Sequence, residues 1–301
     1  MIGPGDDCAL VVGEGIALSC DMSVEDVHFR RDWLSAEEIG WRAASAALSD
    51  LAAVAARPIG LLVSCALPES DTGDFSVRLM DGCRSASEAV GGTVLGGDLT
   101  RSSGPLVLDI TVVGETASPV LRSGAQAGDE LWVTGSLGGA ALAVSRLLSG
   151  LVPEATARQR YAHPEPRISE ARWLADRVAP TSMIDISDGL ASEVAHIASA
   201  SRVAAILQRD SIPIDTSVLA GSGSAEEALR LAMTGGEDYE LCFSAPPGAT
   251  EPQRALFQAE FSLPLTRVGW VEAGAGSFWI EPDGRKAPIT YRGFQHFHES
   301  D

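Results

Sequence analysis

Short runs rich in apolar and β-branched residues recur along the chain, each separated from the next by a stretch long enough for a helix. This alternation confines the 301 residues to a mixed α and β fold. In the first part, strands are expected at Cys8–Val12, Ile16–Cys20, Ile59–Leu67, Thr93–Gly96 and Leu106–Val113. Ser35 followed by Glu38 has the spacing of a capping box, which opens a helix running to about Ala56 and stopped by Pro58. Further on, strands at Leu131–Thr134, Met183–Ile186, Val203–Leu207, Tyr239–Phe243 and Thr266–Val271 are interspersed with helices at Leu137–Leu148, Leu190–Ala200 and Ala225–Met233. Gly150–Pro164 and Gly221–Gly223 read as loops.

At roughly 100 to 200 residues per domain, two domains are expected. The small, Ser- and Pro-containing stretch Ala117–Gly128 marks the boundary and divides the chain into 1–117 and 118–301. The longest apolar run, Ile59–Leu67, is far too short for a bilayer. No basic region followed by an apolar segment opens the chain, so a cytoplasmic protein without a membrane partner is expected. Five cysteines, odd in number and never in a CxxC pair, suggest small buried hydrophobes rather than disulfides or a zinc site. A formal charge of −19, from 41 acids against 22 bases, argues against a nucleic-acid partner, because binding to its backbone runs on clustered Lys and Arg.

There is one lysine, Lys286, in the turn-like PDGRK at 282–286. A Walker loop and a protein-kinase strand lysine are thereby excluded, and a chain like this that handled nucleotide phosphates would need other cations. Several aspartates fall where strands are expected to begin or end. Asp6 and Asp7 lead into the first strand, Asp21 and Asp98 end later ones, and Asp185 and Asp188 stand where a strand gives way to a helix. Singly, each reads as a turn former or cap, and Asp188 would cap the helix that follows. Asp50 is different: helical spacing sets it on one stripe with Ile39, Ala43, Ala46 and Val54, where a carboxylate needs a partner. Arg42, Arg57 or a metal ion could supply it, and Mg²⁺, which takes oxygen ligands, suits scattered aspartates gathered into a cleft. Glycines at 96–97, 189 and 235–236 either form simple turns or let backbone amides approach phosphate oxygens.

The segments MIDISDGL at 183–190 with HIASAS at 196–201, TGGEDYELCF at 234–243, LSDLAAVAARP at 48–58 and GGDLTR at 96–101 carry more than composition does. With GDDCAL at 5–10, SCDMSVEDVHF at 19–29, RSGA at 122–125, TGSLG at 134–138 and GFQHF at 293–297, they resemble the motifs of thiamine-monophosphate kinase in order and separation. That family sits in the superfamily of aminoimidazole ribonucleotide synthetase, selenophosphate synthetase and a hydrogenase maturation factor. The resemblance implies an N-terminal domain contributing to a dimeric β-barrel and a C-terminal α/β domain. It implies a homodimer, and a reaction in which ATP and thiamine monophosphate give ADP and thiamine diphosphate. Carried over by motif, Asp7, Ser19, Asp21, Asp50, Asp98, Asp185 and Asp188 match positions that hold Mg²⁺. Gly97, Asp98, Arg122 and Ser187 match nucleotide contacts, and His28, Glu237 and Phe294 match positions lining the thiamine phosphate site.

The chain departs from the family pattern in places. Cys20 stands at a usual Thr ligand and Leu99 at a common Thr, while Phe294 replaces Tyr or Trp and Gln295 an Asp. The family's lead-in helix before GDD has no counterpart, which reads as a shortened start. Transfer between phosphates needs hardly any base, since the acceptor oxygen is largely ionised at neutral pH; the obstacle is the mutual repulsion of two polyanions. Several Mg²⁺ ions held by the aspartates, with Arg122 adding a fixed charge, are the expected answer. The alternatives are another ATP-dependent enzyme of the superfamily, or a nucleotide or thiamine binder that has lost catalysis.

Overall fold

The computed structural model describes residues 6–11, 15–71 and 73–293. The chain forms two compact units: Met1–Val120 with Ala162–Trp173, and Leu121–Tyr161 with Leu174–Asp301.

The first unit contains β1 (Ala9–Val11), β2 (Ile16–Val24), α1 (Ala36–Ala53), β3 (Arg57–Pro68), α2 (Asp74–Ala89), β4 (Val94–Ser102) and β5 (Val107–Glu115). The strands pair in the order β1-β2-β5-β3-β4. Among the described strands of this sheet only β3 and β4, joined through α2, run parallel. Because side chains alternate across a strand, the register sorts this sheet into two faces. Leu61, Val63, Leu108, Ile110 and Val112 are buried on the face against which α1 and α2 pack. Met22 and Leu62, of the opposite parity, remain exposed.

The expected capping box starts α1: Ser35 Oγ accepts from the Glu38 N–H at 3.3 Å, and the Glu38 carboxylate accepts from the Ser35 N–H at 2.8 Å. The helix ends earlier than expected. Ala55, at φ 55°, reverses the chain, and Pro58 already belongs to β3. α2 was not anticipated by the pattern reading. Gly82 interrupts its propensity, yet a Cβ there would stand 2.0 Å from the Glu37 carbonyl, so the glycine permits α2 to lie against α1.

The second unit carries β6 (Glu130–Thr134), α3 (Gly139–Leu148), α4 (Ala155–Ala162), the last turn of α5 (Ile168–Arg177), β7 (Ser182–Asp185), α6 (Leu190–Ser201) and β8 (Ala204–Gln208). It continues with α7 (Thr216–Gly221), α8 (Ala225–Thr234), β9 (Leu241–Ala245), α9 (Arg254–Phe261), β10 (Leu265–Glu272), β11 (Gly276–Ile280) and β12 (Lys286–Pro288). Its strand order is β12-β11-β8-β10-β6-β9-β7, with β8 and β11 parallel. Ile184, Val194, Ile197, Leu207, Met233 and Cys242 belong to its apolar core.

Two expectations are corrected here. Gly150–Pro164 is not a loop throughout, because α4 lies inside it; its polar ATARQRYA sequence shows little of the periodicity by which helices are read. The strand expected from Tyr239 begins at Leu241, since Tyr239 itself is held at φ 50°. Among the described residues, no helix is long and apolar enough to cross a membrane.

Candidate active site

In the first unit, α1 carries Asp50 toward β2, where Ser19 Oγ donates to its Oδ2 at 2.5 Å. A carboxylate oxygen of Asp7 lies within 4.8 Å of one of Asp50, and Asp7 is only 6% exposed. Cys8, next to Asp7, donates its thiol to the Asp50 carbonyl at 3.2 Å. Three residues picked from separate sequence segments thus meet. Asp21 shares the Ser19 face of β2, two positions along. Of the arginines considered for Asp50, Arg57 engages Glu115 at 2.6 Å and Arg42 donates to the His28 carbonyl at 3.3 Å.

Asp21 and Asp98 do not end strands; each lies within one, β2 and β4 respectively. Asp98 pairs with Ser64 on the edge strand, on the face opposite Asp21 and three strand spacings from β2, roughly 14 Å along the sheet. It is exposed and accepts from Leu99 N–H at 2.9 Å, so the fold of this unit does not set it beside Asp50. Gly97 precedes it on the same strand. Cys20 also faces the open side. Partial burial first, then the charge and hydrogen bond of Asp109, push its thiol up, which keeps it protonated and a poor partner for a hard cation.

His28 Nδ1 accepts from the Val24 N–H at 3.0 Å, so the neutral ring carries its proton on Nε2. The loop that holds it is tied by Arg31, which bonds Glu25 at 2.6 Å and Asp71 at 2.5 Å. Sequence reasoning had passed over Arg31, since nothing in a lone surface-type Arg announces two carboxylate partners.

In the second unit, the MIDISDGL and TGGEDYE segments lie backbone to backbone. Ile186 N–H donates to Glu240 O at 2.7 Å, Tyr239 N–H to Ile186 O at 2.9 Å, and Glu237 N–H to Ser187 O at 2.8 Å. Their glycines serve that approach. A Cβ on Gly189 would lie 2.8 Å from the Thr234 carbonyl carbon, and one on Gly236 would lie 2.5 Å from Ser187 O. Ser187 and Glu237, taken from two motifs, therefore become neighbours. Asp185 ends β7 and is 2% exposed.

Asp188 does not cap α6. The cap position is Gly189, with no side-chain cap bond, and Asp188 N–H instead donates to Glu193 at 3.1 Å. Glu193 is a buried acid that the sequence reading missed, although its place on the Leu190, Val194, Ile197 stripe of α6 was a usable signal. Ser201 joins two more motifs: its hydroxyl accepts from Gly124 N–H and Ala125 N–H at 3.1 Å and donates to Arg122 O at 3.3 Å. The described chain closes at Gly293, whose N–H donates to Ser192 Oγ at 3.1 Å; Phe294 lies outside the described residues.

The donor set fits magnesium. Two carboxylates and a hydroxyl are hard oxygen ligands, and two like charges so close and partly buried favour a divalent cation between them. Family models agree with this architecture: the AIR synthase related N-terminal domain matches residues 5–116 and the corresponding C-terminal domain matches 126–280. The molecule is thus a two-domain protein of the AIR synthase related class.

Within that class the relatives are specific. The thiamine-monophosphate kinase of Haemophilus influenzae is 34% identical over 98% of this chain and 92% of its own length; that of Rhodopirellula baltica is 31% identical over 98% and 91%. A solved structure described as AaThiL complexed with AMPPCP and TMP superposes with a TM-score of 0.86 at 30% identity, covering 97% of this chain and 91% of that one. The chain belongs to the thiamine-monophosphate kinase family, and it is an enzyme of the kinase class.

Proposed function

We propose that this chain transfers the terminal phosphoryl group of ATP directly to the phosphate of thiamine monophosphate, giving thiamine diphosphate and ADP. The observation that carries the reading is the meeting of Asp7, Ser19 and Asp50 in a chain with a single lysine. Bringing two polyanions together demands positive charge beyond what one lysine and Arg122 supply. Asp7, Ser19, Asp21 and Asp50 would hold Mg²⁺ from the first unit, and Asp185 and Asp188 from the second. Bound Mg²⁺ would supply neutralisation of the phosphate oxygens and a template for in-line transfer.

The remaining work falls to the protein's own groups. Asp98, with Gly97, serves the nucleotide and an ion of its own on the open face of the sheet. Arg122 and Ser187 bind the nucleotide. His28 offers its Nε2 proton to the acceptor phosphate, and Glu237 and Phe294 line the thiamine end, where a carboxylate and an aromatic face suit a thiazolium cation. Residues 1–117 would serve as the metal-binding and dimerising domain, and 118–301 would complete the site. A homodimer is supported by the exposed Met22 and Leu62 on the uncovered sheet face and by Leu95 and Leu99 on the edge strand, apolar surface that a second copy would cover as a shared barrel. Action in the cytoplasm accords with this chemistry.

The test is direct: purified protein, ATP, Mg²⁺ and thiamine monophosphate, with thiamine diphosphate as the readout. Stoichiometric formation of thiamine diphosphate and ADP is expected. Turnover with formylglycinamidine ribonucleotide instead, or ligand binding with no turnover, would overturn the reading.

A further inference from the structure

The TGGEDYE segment contains two acids beyond Glu237, and both turn inward. Asp238 is 8% exposed and Glu240 is fully buried, whereas Glu237 between them and the glycines is partly exposed. The backbone alternates in step: Glu237 is at φ 69° and Tyr239 at φ 50°. Two non-glycine residues in the left-handed region cost about 1–3 kcal/mol each and persist only where their surroundings hold them there.

The TGSLG segment is the holder. Asp238 Oδ2 accepts from the Gly138 N–H at 2.7 Å, and the Ala140 N–H bonds the same carboxyl group. Gly138 is the N-cap of α3 and has no side chain to serve the free amides of the first turn, so Asp238 caps that helix from a distant part of the chain. Glu240 accepts from Thr134 Oγ1 at 2.7 Å and from Arg160 Nη1 at 3.3 Å. Thr134 Oγ1 in turn accepts from the Leu241 N–H at 2.8 Å. A Cβ on Gly135 would lie 2.2 Å from Glu240 Oε1, so the TGSLG turn leaves an opening shaped for that carboxylate. Arg160 comes from α4 and also reaches Asp215 at 3.8 Å, which itself accepts from Ser136 Oγ at 2.8 Å.

We propose that Asp238 and Glu240 are positioning residues: seated in the TGSLG turn, they fix the strained segment so that Glu237 is presented to the thiamine end of the acceptor. The inference rests on the kinase reading for the identity of that acceptor. Buried as they are, Asp238 and Glu240 act through Glu237, whose carboxylate is effective only while its backbone is held.

The experiment uses full-length protein with three substitutions: Asp238→Asn, which keeps an acceptor oxygen for Gly138, Asp238→Ala, and Glu240→Gln. In Asp238→Ala, amide exchange over 236–240 is expected to speed up, KM for thiamine monophosphate to rise by about 10-fold or more, and KM for ATP to stay at the wild-type value. Asp238→Asn should restore both towards wild type. If Asp238→Ala does not fold, Glu240→Gln carries the same comparison with a smaller effect. Unchanged exchange over 236–240 in a folded variant, or an equal rise in both KM values, would overturn the positioning role. Wild-type protein inactive on thiamine monophosphate would instead count against the kinase reading, and the exchange measurement would still decide whether the acids hold the segment.

Discussion

Each unit brings carboxylates together at least partly out of solvent, and the two groups are arranged differently. Asp7 and Asp50 in the first unit face each other with one serine hydroxyl between strand and helix. Asp238 and Glu240 in the second each have donors assigned to them, an amide at the N-terminus of α3 for one, and a threonine hydroxyl and a guanidinium for the other. Buried acids seated on donors of a neighbouring turn act as part of the scaffold. Acids whose oxygens converge favour a cation between them. On the proposed reading acids serve two purposes here, and their arrangement tells them apart.

The largest effect is expected on the first side of that contrast. Asp50→Asn, and likewise Asp188→Asn, should reduce Mg²⁺-dependent ADP release by more than about 100-fold while circular dichroism stays unchanged. Wild-type rates in either would remove these carboxylates from the catalytic apparatus. Next in size is Glu240→Ala. Leaving the buried Thr134 hydroxyl without its acceptor, and Arg160 with Asp215 and Ser136 alone, should cost about 3 kcal/mol of stability, seen as a lower urea midpoint, and a loss of activity without that shift would break the contrast from the other side.

A smaller change is expected for Ser19→Ala, which removes one oxygen from the Asp50 cluster. The Mg²⁺ concentration for half-maximal activity should rise about 10-fold, with little change once Mg²⁺ saturates. An unchanged Mg²⁺ dependence would leave Ser19 as a hydrogen-bond donor and nothing more.

A pH effect is also expected at Asp238. Burial, opposed by the Gly138 N–H and reinforced by the charge of Glu240, pushes its carboxyl from 3.8 up to about 8. Between those values the folded protein holds a proton that the unfolded chain has released. Stability from this group therefore falls as pH rises through the window and levels off above it. The melting temperature of wild type relative to Asp238→Asn should decline from about pH 4 to about pH 8. A constant difference would mean that Asp238 is ionised throughout, and the contrast between the units would lose one of its supports.

Much of the frame was legible along the chain. The Ser35–Glu38 box, the apolar stripe of α1 and the strand at Met183–Ile186 are local patterns, and local patterns survive folding because neighbouring residues create them. The polar α4 was missed because it has no clear stripe of its own; α2 was missed although Leu79, Gly82, Cys83 and Ala86 stand at helical spacing, because a glycine sits within that stripe. Asp21 and Asp98 were expected at strand ends because the apolar runs stop before them, but the β2 and β4 registers carry them mid-strand.

By itself the sequence determined the mixed fold, the family, the absence of a lysine-based phosphate site and the inventory of acids that chemistry could use. Folding alone decided which acids meet. Ser19 and Asp50 stand 31 positions apart and Thr134 and Glu240 stand 106 apart, so no window of sequence contains either pair. A carboxylate's role depends on the donors within about 3 Å of its oxygens, and only the packed chain brings those donors there.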